Sequence, residues 1–399
     1  MTTETTQPGF LNELDDAQIR ADVAQELGAG NSLSYQGMLH ILDDAAIGGM
    51  TESKFSTLET LASLLNTPDG IATSAYVQDI THKLIDGDPA NAFWTGGQPK
   101  PTALGDLSST STEAQADQLI DKWFLGTDHP NTTHAGAGHV VPTWEVQHGP
   151  LFGDNGPSYL DVNQGIAGDC WFLSTLADVA LQDPSAIKSM ITDNGQGTYG
   201  VRFFVDGVAT YVTVDNQLPF VTTTWDNGNG SKLEFANGAK GQPIWAELVE
   251  KAFAQLNAEP DAIHGHTTNT ASNAYSGIND GEASNALAEI TGQSSITYYA
   301  SKLLANVKTI GEAFESGEAL MVSFGGLPTG YQGNLVEDHV MEIIGYNAGD
   351  GVFTIHNPWG SANESAKSMT FTMSAQDLAN VGASITVAQG TALGQQASV

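Results

Sequence analysis

The single cysteine of the chain is the residue best suited to covalent chemistry. Cys170 follows the turn-forming run Gln164-Gly165-Ile166-Ala167-Gly168-Asp169 and begins an apolar, amphipathic segment. This pattern predicts a tight turn and a buried helix with the cysteine in its first turn. The helix dipole would favour the thiolate there, and unpaired N–H groups would face an oxyanion, with the Gln164 amide as a second donor. The alternative reading is a structural cysteine packed beneath the helix.

A thiolate needs a base and a group that orients the base. His339 begins one apolar strand-like run, and Asn357 ends the next, within the run His356-Asn357-Pro358-Trp359-Gly360. A short turn near residues 347–351 would place the two strands side by side, so that Asn357 accepts a hydrogen bond from the His339 ring. Trp359 would shield this bond from water. His356 is out of phase with Asn357 and is expected to face the opposite side of its strand.

The elements that must position these groups are predicted to form two regions. Residues 1–126 are predicted to be an acidic, helical region, with helices over residues 10–27, 35–46, 71–85 and 112–125 and one more beginning near Thr51. Its role stays open between an inhibitory pro-region, a partner-binding module and a scaffold. Its acidic loops are interpreted as solvated faces and helix caps.

The second region carries the candidate chemistry. Residues 127–150 are predicted to be a linker, residues 151–386 a catalytic domain, and residues 387–399 a flexible tail. Within the domain the pattern predicts helices at Cys170 and over 244–256 and 283–291, and strands over 199–205, 209–214, 320–324, 340–346 and 352–356.

Three separately placed motifs, taken in chain order, resemble the calpain family of papain-like cysteine proteases. They are the QGxxGDCW pattern ending at Trp171, the HxxxIxGY-like run from His339, and the NPWG run from Asn357. The helix from Trp245 resembles the WxxLLEKAYAK helix of that family, and Tyr275-Ser276 follows it. The resemblance extends over residues 151–371.

The resemblance implies an α+β fold, with a papain-like two-lobed protease domain behind an all-helical N-terminal region. The helical lobe would span about residues 150–256 and the antiparallel-sheet lobe about 257–386. By resemblance Cys170 is the nucleophile, His339 the base, Asn357 its orienter, Gln164 the oxyanion-hole side chain and Trp359 the support of the triad. The implied activity is that of a thiol endopeptidase acting on protein or peptide substrates through a thioester.

Calcium is the one cofactor that the resemblance raises. Gly156 and Asp161 stand at the spacing of a first calcium site in the family, but Pro243 occupies a ligand position. At a second site Asn363 replaces an acid, although Glu364 is adjacent. Because carboxylate ligands set calcium affinity, calcium dependence is in doubt. No EF-hand pattern occurs, so the chain resembles a compact calpain-like protease of bacterial type.

Composition restricts the partners and leaves two other functions open. The 399 residues include 46 acidic and 13 basic ones, giving a net charge of −33. Nucleic-acid binding and membrane insertion are therefore not expected, and the start of the chain has no pattern of a cleavable export signal. Location, cytoplasmic or exported, and oligomeric state stay open. The alternatives are a calpain-like pseudo-protease that binds a peptide, and a transglutaminase-like acyl transferase, which would normally orient its histidine with aspartate.

Overall fold

The computed structural model describes residues 8–133, 142–223, 230–233, 235–236, 241–264, 272–331, 333–360 and 368–390 of the chain, with helices and antiparallel sheets in an α+β arrangement. Among these residues, no helix combines the length and apolar character that crossing a membrane requires.

The N-terminal region is built from helices with side-chain caps. Asp16, Ser34, Thr51, Ser74 and Thr112 each accept a hydrogen bond from a backbone N–H in the first turn that follows. These caps explain why the first and the fourth helix begin several residues later than the apolar pattern predicts. The helices are α1 (Ala17–Glu26), α2 (Tyr35–Ala46), α3 (Glu52–Leu64), α4 (Ala75–Ile85) and α5 (Glu113–Ile120), with a short strand pair β1 (Phe93–Trp94) and β2 (Thr102–Ala103).

The following region first alternates helices with two small antiparallel sheets. Strand order is β3-β7-β8 in one sheet and β4-β5-β6 in the other. The elements are β3 (Thr143–Val146), α6 (Cys170–Gln182), α7 (Pro184–Met190), β4 (Ile191–Gly195), β5 (Thr198–Val205), β6 (Val208–Asp215), β7 (Gln217–Thr223), β8 (Gly230–Leu233), α8 (Trp245–Leu256) and α9 (Ala283–Thr291).

The last part of the chain forms one six-stranded antiparallel sheet. Its strand order is β13-β12-β11-β10-β14-β9. The elements are β9 (Ser294–Tyr299), α10 (Ala300–Glu315), β10 (Leu320–Phe324), β11 (His339–Asn347), β12 (Val352–His356), β13 (Thr370–Ser374), α11 (Ala375–Asn380) and β14 (Ser384–Gln389).

Three hydrophobic clusters organise these elements. The helical core lies within the N-terminal region. The cysteine core surrounds α6, α8 and α9 and includes Cys170, and the sheet core fills the face of the six-stranded sheet that α10 and α11 cover. Met321 and Val340 point from the opposite face of that sheet into the cysteine core. The sheet therefore joins both cores, which is possible because neighbouring strand residues face opposite sides.

Several predicted boundaries were wrong because packing extends across them. The predicted linker 127–150 contains β3, which pairs with β7, and the buried residue His129. The predicted tail begins inside β14, whose residues Val387 and Ala388 are buried. The predicted helical lobe contains five strands among its described residues, and α9, placed in the other lobe, packs in the cysteine core. The N-terminal region also departs from all-helical by its short strand pair.

The N-terminal helices pack directly on the cysteine core. The Tyr76 hydroxyl lies 2.7 Å from Thr213 Oγ1, and Gly200 makes room for its ring, since a Cβ at Gly200 would lie 2.5 Å from it. Lys83, which is buried, donates to Thr210 Oγ1 at 2.6 Å and to Glu259 Oε1 at 2.7 Å. Such paired and hydrogen-bonded burial of an ammonium makes the contact specific.

Asp215 is the second link between the N-terminal half and the cysteine core. Its carboxylate binds the buried ammonium of Lys251 and the ring of His129, which stacks on Trp144 at 4.2 Å between centroids. Although burial alone would raise its pKa, the charges of Lys251 and His129 hold the pKa of Asp215 at about 2. The ionised form is thus favoured by folding.

We expect Asp215→Asn to lower the free energy of unfolding by ~3 kcal/mol at pH 7, because it leaves Lys251 buried without a counter-charge. The pKa of Asp215 is depressed, so its contribution is complete above the unfolded-state pKa of about 3.9 and disappears as pH falls toward about 2. Urea unfolding of both proteins at several pH values would measure this. A difference that stays constant from pH 7 to pH 2.5 would contradict the assignment.

Candidate active site

Cys170 is the first residue of α6, as the sequence predicts. The loop before it, residues 163–169, is called the cysteine loop, and the stretch before α9 holds it in place. Gly168 N–H donates to Asn279 Oδ1 at 2.6 Å, and Asp280 N–H donates to the Gly168 carbonyl at 3.0 Å. The indole of Trp171 donates to the Ile278 carbonyl at 3.0 Å. The Asp169 side chain makes no capping hydrogen bond to α6.

His339 and Asn357 meet as the two strand-like runs predict. His339 begins β11, Asn357 directly follows β12, and the two strands pair antiparallel. His339 Nε2 lies 2.9 Å from Asn357 Oδ1, and both side chains are buried. The Trp359 ring lies 5.1 Å from the imidazole, and its backbone N–H donates to Asn357 Oδ1 at 3.1 Å. Asn357 thus holds the ring so that Nδ1 remains for proton exchange.

The loops that carry these groups touch each other directly. Gln164 N–H donates to the Pro358 carbonyl at 2.7 Å. Gly360 has a φ of +61°, and a Cβ there would lie 1.9 Å from Asn163 Oδ1. The last glycine of the NPWG run is therefore required both by its backbone conformation and by the neighbouring cysteine loop.

The Cys170 sulfur lies against the strand that begins with His339. It accepts hydrogen bonds from the backbone N–H groups of Val340 and Trp171. Burial nevertheless raises the pKa of the thiol to about 12, and these two amides only partly offset the increase. Burial also lowers the pKa of His339, against the effect of its bond to Asn357. The expectation of a resting thiolate differs from this result, because desolvation outweighs the helix dipole.

Gln164 lies in the cysteine loop but its amide is already engaged. Nε2 donates to the Ala167 carbonyl at 2.7 Å and to Asp169 Oδ1 at 3.3 Å, while the buried Oε1 has no hydrogen-bond partner among the described residues. Service as an oxyanion donor requires the amide to turn away from Ala167. The oxyanion role of Gln164 stays a prediction.

Glu250 is a residue at the site that the sequence reasoning missed. It lies on α8, accepts from the Ala236 N–H at 2.8 Å, and hydrogen-bonds to the side chain of Asp169, the residue before Cys170. Burial raises the pKa of Asp169 to about 6 and that of Glu250 well above its usual range, so the pair holds a proton at neutral pH. Asp169 thus braces Gln164 through a carboxyl pair rather than alone. In the sequence, the only indication of this role is that Glu250 belongs to the helix that begins at Trp245.

The surroundings of Gly156 and Asp161 do not fit a calcium site. The Asp161 carboxylate accepts from the Trp245 indole at 2.8 Å and from the Ser158 N–H at 2.9 Å. Lys188 lies against Gly156, since a Cβ there would be 2.8 Å from its ammonium nitrogen. Calcium requires six to eight oxygen ligands, and a lysine ammonium opposes it. No cluster of three or more candidate metal ligands occurs within the described ranges. Asn363 and Glu364 lie outside them.

A cysteine at a helix N-terminus, packed against a strand that begins with an amide-oriented histidine, is typical of a cysteine hydrolase. The comparison with protein families agrees: the model described as "Calpain family cysteine protease" matches residues 137–370. The chain belongs to the calpain family of cysteine proteases. Because the matched stretch contains all three motifs that carry the resemblance, this prediction is confirmed.

The relatives include proteins from animals and plants. The chain is similar to calpain clp-1 of Caenorhabditis elegans, with 28% identity over 55% of this chain and 27% of the relative. It is 30% identical to the calpain-type cysteine protease DEK1 of Arabidopsis thaliana, over 53% of this chain and 9% of the relative. The calpain-2 catalytic subunit of Gallus gallus is 32% identical over 30% of this chain and 17% of the relative. The chain thus spans less than a third of these relatives, and the bacterial type stays a prediction.

We expect the alkylation of Cys170 by iodoacetamide to accelerate about tenfold per pH unit between about pH 7 and 9. The raised pKa of Cys170 and the lowered pKa of His339 make the resting pair neutral, so the reactive thiolate fraction grows with pH. Cys170 is the only cysteine, and mass spectrometry therefore reports this site alone. A rate that is level from about pH 5 upward would instead indicate a preformed thiolate–imidazolium pair.

Proposed function

We propose that this chain is a cysteine endopeptidase that hydrolyses peptide bonds in protein substrates through Cys170, His339 and Asn357. The observation that carries the proposal is the buried 2.9 Å bond between His339 Nε2 and Asn357 Oδ1, next to a thiol that the following residue, Val340, contacts. Membership of a family of cysteine proteases supports the same reaction.

The proposed reaction begins with transfer of the Cys170 proton to His339 Nδ1. The sulfur then attacks the substrate carbonyl carbon, and the oxyanion accepts from the Cys170 N–H and from the Gln164 amide once it turns. His339 returns the proton to the leaving amine as the thioester forms. A water molecule, deprotonated by His339, then hydrolyses the thioester and restores the thiol. Asn357 keeps the imidazole in one orientation throughout.

The arrangement of the cores supports a papain-like, two-lobed protease domain. Cys170 belongs to the cysteine core. His339 begins a strand of the six-stranded sheet, and the sheet core fills the face of that sheet which α10 and α11 cover. The substrate would lie where the cysteine loop and the loop after β12 meet. Leu160, shortly before the cysteine loop, and Ile166, within it, expose apolar side chains suited to an extended substrate.

The two alternative functions receive less support. A pseudo-protease has no need of a buried imidazole held by an amide, which His339 and Asn357 provide. A transglutaminase-like transferase would normally orient its histidine with a carboxylate, whereas the oriented His339 nitrogen contacts an amide oxygen. For the N-terminal region we propose a scaffold role, because Tyr76 and Lys83 are buried in contact with the cysteine core.

We expect the full chain to digest a dye-labelled unfolded protein and Cys170→Ala to abolish the cleavage. Cleavage in a chelator should stay within about twofold of cleavage in calcium, because the groups around Gly156 and Asp161 are already bonded to the protein. Release of dye is the measurement. Equal cleavage by the Cys170→Ala protein would overturn the assignment of the nucleophile, and strict calcium dependence would overturn the metal-free proposal.

We expect Asn357→Ala to lower kcat about 100-fold with little change in KM, since the imidazole loses its orientation but the substrate cleft is retained. Steady-state kinetics with an unfolded protein substrate would measure both constants. Asn380→Ala, at the end of α11, is a matched control because this residue lies outside the site. An Asn357→Ala protein with unchanged kcat would exclude the triad role.

A further inference from the structure

One face of α6 makes polar contacts with the six-stranded sheet over three successive turns. The residues are Cys170, Ser174 and Asp178, each four positions from the last. The Cys170 sulfur accepts from the Val340 N–H, and the Ser174 hydroxyl donates to the Val340 carbonyl at 2.8 Å. The Asp178 carboxylate accepts from the N–H of Leu320. The nucleophile is thus one of three contacts that align this helix with β10 and β11.

The sheet presents a buried, hydrogen-bonded carboxyl–imidazole pair to the same face of α6. Glu342 on β11 and His356 on β12 are cross-strand partners, and the imidazole Nδ1 bonds Glu342 Oε1. The Ser174 hydroxyl, which donates to the Val340 carbonyl, faces the same carboxyl group. The Tyr159 ring covers His356 edge-on at 5.4 Å. This pair therefore lies on the two strands that begin with His339 and lead to Asn357, on the side that faces the helix of the nucleophile.

Burying this pair costs more free energy than packing alone requires. Glu342 and Asp178 are both fully buried, and burial raises the pKa of each; their mutual repulsion raises that of Asp178 further. Glu342 Oε2 and Asp178 Oδ1 have no hydrogen-bond partner within the described part of the chain. Apolar residues of similar volume would fill the space at lower cost, whereas directional polar contacts define a unique alignment.

We propose that Glu342, held by His356 and facing Ser174, is a positioning residue that sets the alignment of the Cys170 helix with the His339 strand. Its effect reaches the reacting atoms through Val340. The Val340 N–H lowers the pKa of the thiol, so displacing this peptide raises the thiol pKa and moves the sulfur relative to the imidazole. The proposal concerns turnover by the proposed protease, and alkylation of Cys170 tests it independently of any substrate.

The main test is the double variant Glu342→Met/His356→Met in the full chain. Removing both partners leaves neither polar group of the pair buried without the other, so we expect a melting temperature close to that of the parent. Alkylation of Cys170 by iodoacetamide at pH 8 and kcat should each fall about tenfold, with KM within about twofold. Glu342→Gln, which retains an acceptor for His356, should keep both rates within about threefold of the parent.

Glu289→Met is the matched control, because Glu289 is an equally buried carboxyl that accepts one backbone N–H but lies on α9, away from β10–β12. It should leave alkylation and kcat unchanged. If the double variant does not fold, Ser174→Ala removes one hydroxyl and should slow alkylation in the same direction, by about threefold.

Unchanged alkylation and kcat in a folded double variant would overturn the proposal. If the double variant does not fold, unchanged alkylation and kcat in Ser174→Ala would overturn it. So would a lowered melting temperature with normal rates, which indicates structural support alone. If the parent cleaves no protein but alkylation still falls in the variants, the positioning role stands and the proposed proteolysis fails.

Discussion

The structure of the site depends on the backbone of a single residue, Val340. Its N–H contacts the sulfur of Cys170 and its carbonyl accepts from Ser174, while its neighbour His339 carries the imidazole. Cys170 lies in the cysteine core and His339 begins a strand of the six-stranded sheet, far away in sequence, so neither element alone can bring the two side chains together. Val340 itself is buried in the cysteine core although it belongs to the sheet. This contact makes the relative position of the two cores part of the chemistry.

The same packing sets the protonation of the resting site. Cys170 and His339 are almost inaccessible to solvent, and desolvation disfavours the charged form of each. Neighbouring acids follow the same rule, since Asp169 and Glu250 are also buried and hold a proton between them. A dry site strengthens each hydrogen bond made to developing charge and raises the cost of charge separation before substrate arrives.

Much of this arrangement was predictable from local pattern. The bounds of α2, β10 and β12 follow from apolar periodicity and turns, and the order of the motifs indicated which residues meet. Contacts between distant segments were not predictable. Nothing near Glu250 in the sequence indicates that it faces Asp169, and β3 has a single short run whose partner lies some 70 residues further on. The thiol pKa was misjudged because exposure, which decides it, is a property of the folded chain.

The way the chain uses its few cations affects how it meets other molecules. Lys83, Lys122 and Lys251 are buried in pairs with Glu259, Asp128 and Asp215, within the N-terminal region or where it and the following segment join the cysteine core. Three of only 13 basic side chains are thus withdrawn from a surface that already carries a large excess of acid. The remaining outer field is strongly anionic. Basic polypeptides are drawn toward the protein and acidic ones approach against repulsion, and added salt reduces this discrimination between them.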